Sequence, residues 1–324
     1  MKRMFVVLIS VLLLVSLVSG CIGSGGSEGI KEKIKEKVEM SKPRILSISH
    51  RWGEINDRYS EIITEIVVYN PNPVSVPLKN ISVHLYMNGI DMGEGHNIGP
   101  ASLAAKSNTT IILSTKIDNY KIPKWWVSHL KNGEVTEVLL KGKLVFDLKV
   151  FDFSWPFEQK SVIKTNIVDN LAFTNMVLSK RISIPLVGNF DFRLLMNMSS
   201  RWGQVTEDST EIIHDVTIYN PQKFITVPIT NIGYEILIND IMIGEGVSKQ
   251  KIVLYPRSTG SLQFVSNINN QALVEWWVSH IKNNEQSTFE LRLYFVFDLG
   301  GQEIKIPLPE GTIKTEIKTN ILGS

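Results

Sequence analysis

Two adjacent pairs of tryptophans, Trp125-Trp126 and Trp276-Trp277, are the residues whose type and spacing most invite chemistry. Paired aromatics stack on sugars or bases, so Trp125 and Trp276 are candidate ligand platforms. Neighbours on a helix point about 100° apart, which lets one indole of each pair enter a core while the other lies at the helix flank. Core packing is therefore the competing reading, because a shared core needs duplicated aromatic positions. His129 and His280 each follow three residues after the second tryptophan of their pair. With no carboxylate or second histidine at ligand spacing, they read as hydrogen-bonded structural residues and not as metal ligands. His50, His84, His96 and His214 have no counterparts in the other half of the chain.

Asp147 and Asp298 lie in Val-Phe-Asp-Leu runs without the second acid that acid–base work requires. Gly93-Glu94-Gly95 lacks the strand–glycine–helix setting of a phosphate loop and reads as a bulge or turn. Neither a G-x-S-x-G elbow nor an H-E-x-x-H sequence occurs. Three glycosylation sequons begin at Asn80, Asn108 and Asn197. Asn108, in a polar turn, is the one expected to carry a modification. These residues predict no enzyme, no metal, no cofactor and no small-molecule substrate.

The composition agrees. The chain has 324 residues, room for two or three domains, with 43% apolar and 20% charged side chains, as in a globular protein with a core. Thirty-four basic and 32 acidic residues leave a net charge of +2, too balanced for a partner held by phosphate neutralisation, so no nucleic acid is expected. The single cysteine, Cys21, excludes an intrachain disulfide and a Cys-based zinc site.

Residues 1–20 read as a signal peptide: Lys2 and Arg3, an apolar run from Met4 to Val18, then small residues. Val18-Ser19-Gly20-Cys21 resembles a lipobox, which makes Cys21 the expected lipidation site. An uncleaved signal anchor is the alternative. Either places the protein at the extracytoplasmic face of the cell membrane, a prokaryotic and specifically archaeal one by expectation. Residues 21–44 are expected to form a flexible Gly/Ser tether and a short charged helix over 30–40.

The elements that must position the candidate residues come in two copies. Arg51-Trp52-Gly53 recurs as Arg201-Trp202-Gly203 and Tyr69-Asn70-Pro71 as Tyr219-Asn220-Pro221, at an offset of 150. One inserted residue then makes the offset 151, so Trp125-Trp126-Val127-Ser128-His129 returns as Trp276-Trp277-Val278-Ser279-His280. Lys164-Thr165-Asn166-Ile167 returns as Lys318-Thr319-Asn320-Ile321. Ile81, Val83, Leu85 and Met87 alternate with polar residues, as in a half-buried strand, and Asn88-Gly89 predicts a hairpin. Thr64–Tyr69 and Leu144–Phe151 read as central strands. Ile122, Trp126 and Leu130 at helical spacing, closed by Asn132-Gly133, predict one short amphipathic helix. The expected fold is mainly β: two tandem antiparallel β-sandwiches over residues 45–168 and 196–324, each of about seven strands with one helix, joined by a linker at 169–195.

Asn70-Pro71-Asn72-Pro73, followed by Val76-Pro77, Leu85-Tyr86-Met87-Asn88-Gly89 and Gly93-Glu94-Gly95, resembles the group 2 late-embryogenesis-abundant family, also described as the water-stress and hypersensitive-response (WHy) domain. The second copy departs from that pattern, with Gln222-Lys223 after Asn220-Pro221. The resemblance implies a fibronectin-III-like sandwich with one helix, no catalytic centre, and an association with desiccation and other stress. A membrane-anchored stress-associated or envelope-structural protein is the expected function. The alternative is an extracytoplasmic binding module for a surface glycan or an envelope protein.

Overall fold

Alternation of apolar and polar residues becomes strands with one buried face. The computed structural model describes residues 41–149, 151–184, 188–299 and 302–322. The first repeat contains β1 (Arg44–Ile55), β2 (Tyr59–Tyr69), β3 (Val76–Met87), β4 (Ile90–Asn97), β5 (Ser102–Leu103), β6 (Asn108–Asp118), helix α1 (Ile122–Lys131), β7 (Val135–Asp147) and β8 (Asp152–Lys164). The second contains β9 (Phe173–Ile184), β10 (Gly188–Val205), β11 (Ser209–Tyr219), β12 (Val227–Ile238), β13 (Ile241–Ser248), β14 (Ile252–Leu254), β15 (Thr259–Asn269), helix α2 (Leu273–Lys282), β16 (Gln286–Leu299) and β17 (Gln302–Lys318). All strand pairs are antiparallel. The tandem mainly-β architecture with two short helices is the expected one.

In the first sandwich the strand order is β1-β2-β6-β4-β3-β7-β8, with β5 on β3. In the second, β15-β11-β10-β9 faces β13-β12-β16-β17, with β14 on β12. Ile62, Ile66, Leu85 and Met87 fill one core; Ile212, Ile236, Phe289 and Phe295 fill the other. Gly93-Glu94-Gly95 lies in β4, immediately after the register shift of a bulge against β3. A Cβ on Gly93 would sit 1.8 Å from the Lys116 carbonyl oxygen, and one on Gly244 2.1 Å from that of Asn267. These glycines let β4 and β13 cross closely over β6 and β15 at the corner of each sandwich.

The structure revises three sequence boundaries. The span 169–195, expected as a linker, holds a 3-10 turn at Asp169–Leu171, all of β9 and the start of β10. β9 pairs with β10 from Ile184↔Gly188 to Met176↔Met196, and buried Leu178 and Leu194 tie it to the second core. The strand read over Leu144–Phe151 ends at Asp147, where Asp147 Oδ1 accepts from the Lys149 amide and turns the chain. Finally, residues 41–44, placed in the tether, already belong to the fold, since Ser41 exchanges two hydrogen bonds with Asn72. The signal peptide, Cys21 and the helix expected at 30–40 lie outside the described residues.

Candidate functional site

The repeated tryptophans and histidines converge where the two repeats meet. Each helix is introduced by a 3-10 turn capped by the chain itself: Asp118 accepts from the Tyr120 amide and Asn269 from that of Gln271. Apolar residues on one stripe then hold each helix against its sandwich. α1 buries Ile122, Trp125, Trp126, His129 and Leu130; α2 buries Leu273, Trp276, Trp277, His280 and Ile281. The following turn is left-handed at Gly133 and Glu134 (φ 67° and 59°), and again at Asn284 and Glu285 (φ 54° and 58°). A left-handed glutamate is uncommon, and here the turn aims a carboxylate into the interface.

Hydrogen bonds define a chain with a fixed direction. The Trp125 indole N–H, a donor only, donates to Thr136 Oγ1 at 2.9 Å. The Thr136 hydroxyl lies 2.8 Å from His129 Nδ1 and donates to it, because the single proton of the neutral ring sits on Nε2. His129 Nε2 carries the ring proton and donates to Thr165 Oγ1 at 2.9 Å, and that hydroxyl donates to Glu134 at 2.6 Å. Glu134 also accepts from the Ile167 amide at 2.7 Å and from the indole of Trp202, in the other repeat, at 3.0 Å. The second copy repeats this chain through Trp276, Ser287, His280, Thr319 and Glu285. Glu285 then accepts from Trp52 of the first repeat at 3.0 Å.

The remaining indoles cross the junction in the same reciprocal way. Trp126 donates to Thr210 and Trp277 to Ser60, each at 3.1 Å. Ser60 and Thr210 are repeat equivalents, so residue i contacts j and j contacts i, the signature of a pseudo-two-fold interface. Trp125 stacks on Trp276 at 6.5 Å and 11°, and Trp126 meets Trp202 edge to face at 6.0 Å and 88°. The tails cross as well: Ser161 and Gln159 donate to the carbonyls of Ile321 and Leu322, and Asn170 donates to Thr315.

Trp125 and Trp276, the candidate ligand platforms, are 3% and 2% exposed. Each covers the other, so neither indole face is open to a sugar ring, and packing across the repeats accounts for the duplicated aromatics. Burial pushes His129 and His280 down to about 4, against a modest upward pull from Glu134 on the first and the Gln286 backbone on the second. Both imidazoles are neutral hydrogen-bond relays. The order of groups resembles a hydrolytic relay but runs the wrong way for one. Thr165 gives its proton to Glu134 and not to the imidazole, and Thr136, which does donate to the imidazole, is fully buried.

Reading residues without regard to the fold missed Glu134 and Glu285, although they match at the offset of 151 one residue beyond the Asn132-Gly133 stop signal. A second miss concerns His50 and His214. His50 faces Thr64 across β1 and β2, whereas Ser200 faces His214 across β10 and β11. The same cross-strand imidazole–hydroxyl pair occurs in both repeats with its members exchanged, which a fixed offset conceals. Burial lowers both histidines, His214 to about 3.

The motif loop works as a staple. Buried Asn70 donates to the carbonyls of Val74, Leu103 and Ala104 and accepts from the Asn72 amide. Asn220 does the same with Ile225, Leu254, Tyr255 and Gln222. Pro71 and Pro73 hold the loop out of the ladder between β2 and β3. Asn72 binds Ser41, and Gln222 binds Asp191 at the equivalent position, so the altered second motif keeps the loop's tie to the preceding chain. Asn108 opens β6 and is exposed. Among the described residues no group of three or more His, Cys, Asp or Glu is placed to hold a metal.

A family model described as late embryogenesis abundant protein matches residues 65–161 and 215–310, together more than half of the chain. Comparison with curated proteins gives no match. Among solved structures, a crystal structure of a protein from Archaeoglobus fulgidus is 24% identical, covering 38% of this chain and 95% of that one, with a TM-score of 0.35. A solution structure from Arabidopsis thaliana is 22% identical, covering 40% of this chain and 84% of that one, with a TM-score of 0.30.

Proposed function

Because the chain belongs to the late embryogenesis abundant protein family, we propose that it is a non-enzymatic, stress-associated protein of the group 2 (WHy) type. In this reading Cys21 carries lipid and holds the two sandwiches at the extracytoplasmic face of the membrane, where they act during water loss. The observation that carries the non-enzymatic reading is the fate of the repeated side chains. The indoles, imidazoles and carboxylates that could have formed a catalytic centre are consumed in hydrogen bonds that fix each helix on its own sandwich and, from Trp202 to Glu134 and from Trp52 to Glu285, join one repeat to the other. The surface loops and strand edges are left free for contacts, and the anchor raises their local concentration at the membrane.

The test uses a soluble form beginning at Ile30. Dried or heated with an aggregation-prone client enzyme, it is expected to preserve more activity than an inert protein at equal mass. Equal protection by both proteins removes the protective role. Separately, Cys21→Ser in the full chain is expected to release the protein from the membrane fraction, and an unchanged distribution removes the lipid anchor.

A further inference from the structure

The distal end of the second sandwich differs from that of the first in one respect. The residue that shifts the repeat offset from 150 to 151 is inserted here: Pro73, between Asn72 and Val74, is replaced by Lys223-Phe224, between Gln222 and Ile225. On the neighbouring loop, Val76 pairs with Leu103 and Val227 with Leu254, so Tyr255 stands where the first repeat has Ala104. Two large aromatics thus enter the same tip. They are not core residues: Phe224 is 90% exposed, Tyr255 64% and nearby Val253 51%.

The loops that carry them are held together. The Asn220 side chain binds the carbonyls of Ile225 at 2.8 Å and Tyr255 at 3.2 Å, and the Arg257 amide donates to Gln222 at 3.1 Å. Lys223 and Arg257 flank the aromatics, both exposed, and among the described residues neither forms an ion pair. Asp191, whose carbonyl accepts from Gln222 of this loop, has its carboxylate neutralised by a two-pronged pair with Arg181 at 2.8 and 3.1 Å. The tip therefore presents projecting rings, a net positive charge and backbone already ordered.

We propose that this tip contacts an anionic lipid surface, with the rings of Phe224 and Tyr255 seated at the headgroup boundary and Lys223 and Arg257 against lipid phosphates. Phenylalanine and tyrosine on a convex tip enter such a boundary without needing a pocket, whereas a glycan or peptide needs a concave or flat surface to cover it. Charge complementarity selects the anionic lipid. The contact is separate from the Cys21 anchor and needs no lipid on the protein.

The test is co-sedimentation of the form beginning at Ile30, which retains the compact unit Ser41–Ser324. The vesicles contain either equal parts phosphatidylglycerol and phosphatidylcholine or phosphatidylcholine alone. Saturable, salt-sensitive binding to the anionic vesicles is expected. The Phe224→Ser, Tyr255→Ser double variant should weaken it about tenfold, and Lys223→Gln or Arg257→Gln about fivefold each. Phe224→Trp should tighten it, a gain that a folding defect cannot produce. Equal binding to both vesicles, binding indifferent to these variants, or no vesicle binding alongside saturable binding to an acidic polysaccharide would each overturn the proposal.

Discussion

Glu134 and Glu285 show how much one side chain can decide. Each is buried, left-handed in backbone, and faced by donors from its own tail and from a tryptophan of the opposite repeat. Glu134→Gln turns an NH2 group toward those donors and leaves at least one hydrogen bond unmade, a loss of about 2 kcal/mol read from the urea midpoint. The imidazoles set a second expectation. His129, His280 and His214 fall from an ordinary 6.5 to about 4, 4 and 3 because burial disfavours their charge. A lowered histidine is proton-poor in the folded state, so the unfolded chain binds more protons below 6.5 and stability falls as pH falls. Each imidazole contributes a loss of about 1.4 kcal/mol per pH unit until its folded value is reached. Urea midpoints between about pH 7 and 5 should drop steeply, and His129→Gln with His280→Gln should flatten that slope while lowering the midpoint at neutral pH. A midpoint independent of pH over this range contradicts the buried neutral state.

At the scale of elements, the sandwich corner rests on a missing side chain. β4 passes so close to β6 that Gly93→Ala places a methyl group on the Lys116 carbonyl. Backbone cannot yield as a flexible side chain does, so a loss of about 3 kcal/mol or failure to fold is expected. Gly133→Ala is the comparison: its φ of 67° is strained for alanine, but open space surrounds the site, and about 1 kcal/mol should be lost. Circular dichroism and urea unfolding of the two variants check the ranking. The bulge reading of Gly93-Glu94-Gly95 came from the absence of a phosphate-loop setting, yet the contact that demands glycine is made by a strand more than twenty residues away. The β9 strand was illegible for a related reason. It has no repeat counterpart among the described residues, so duplication, the strongest guide to the other elements, said nothing about it.

At the largest scale, the described residues form two sandwiches with one shared polar and aromatic junction. Since each repeat supplies both indole donors and hydroxyl or carboxylate acceptors, neither can unfold without stranding buried partners in the other. Calorimetry should therefore show a single transition with equal calorimetric and van't Hoff enthalpies. Trp126→Ala removes an indole from the junction at a cost of about 3–5 kcal/mol and should separate the transition into two. Two steps in the unsubstituted protein would show that the repeats are coupled too weakly for the junction described.

Period-two alternation told which face of each strand is apolar, and the Ile122, Trp126, Leu130 spacing told where the helix lies, because these depend on neighbours within a few residues. The duplication likewise marked Trp52, Trp125, Trp126, His129 and Thr165 as positions that matter twice. It could not say to what end, since an indole buries the same area in its own core as against another repeat. The hydrogen bonds from Trp52 to Glu285 and from Trp277 to Ser60 span 233 and 217 residues. No local pattern encodes a partner at that distance. Only the folded chain, by setting one repeat against the other about a pseudo-two-fold axis, turned apparent binding residues into the joint of the molecule.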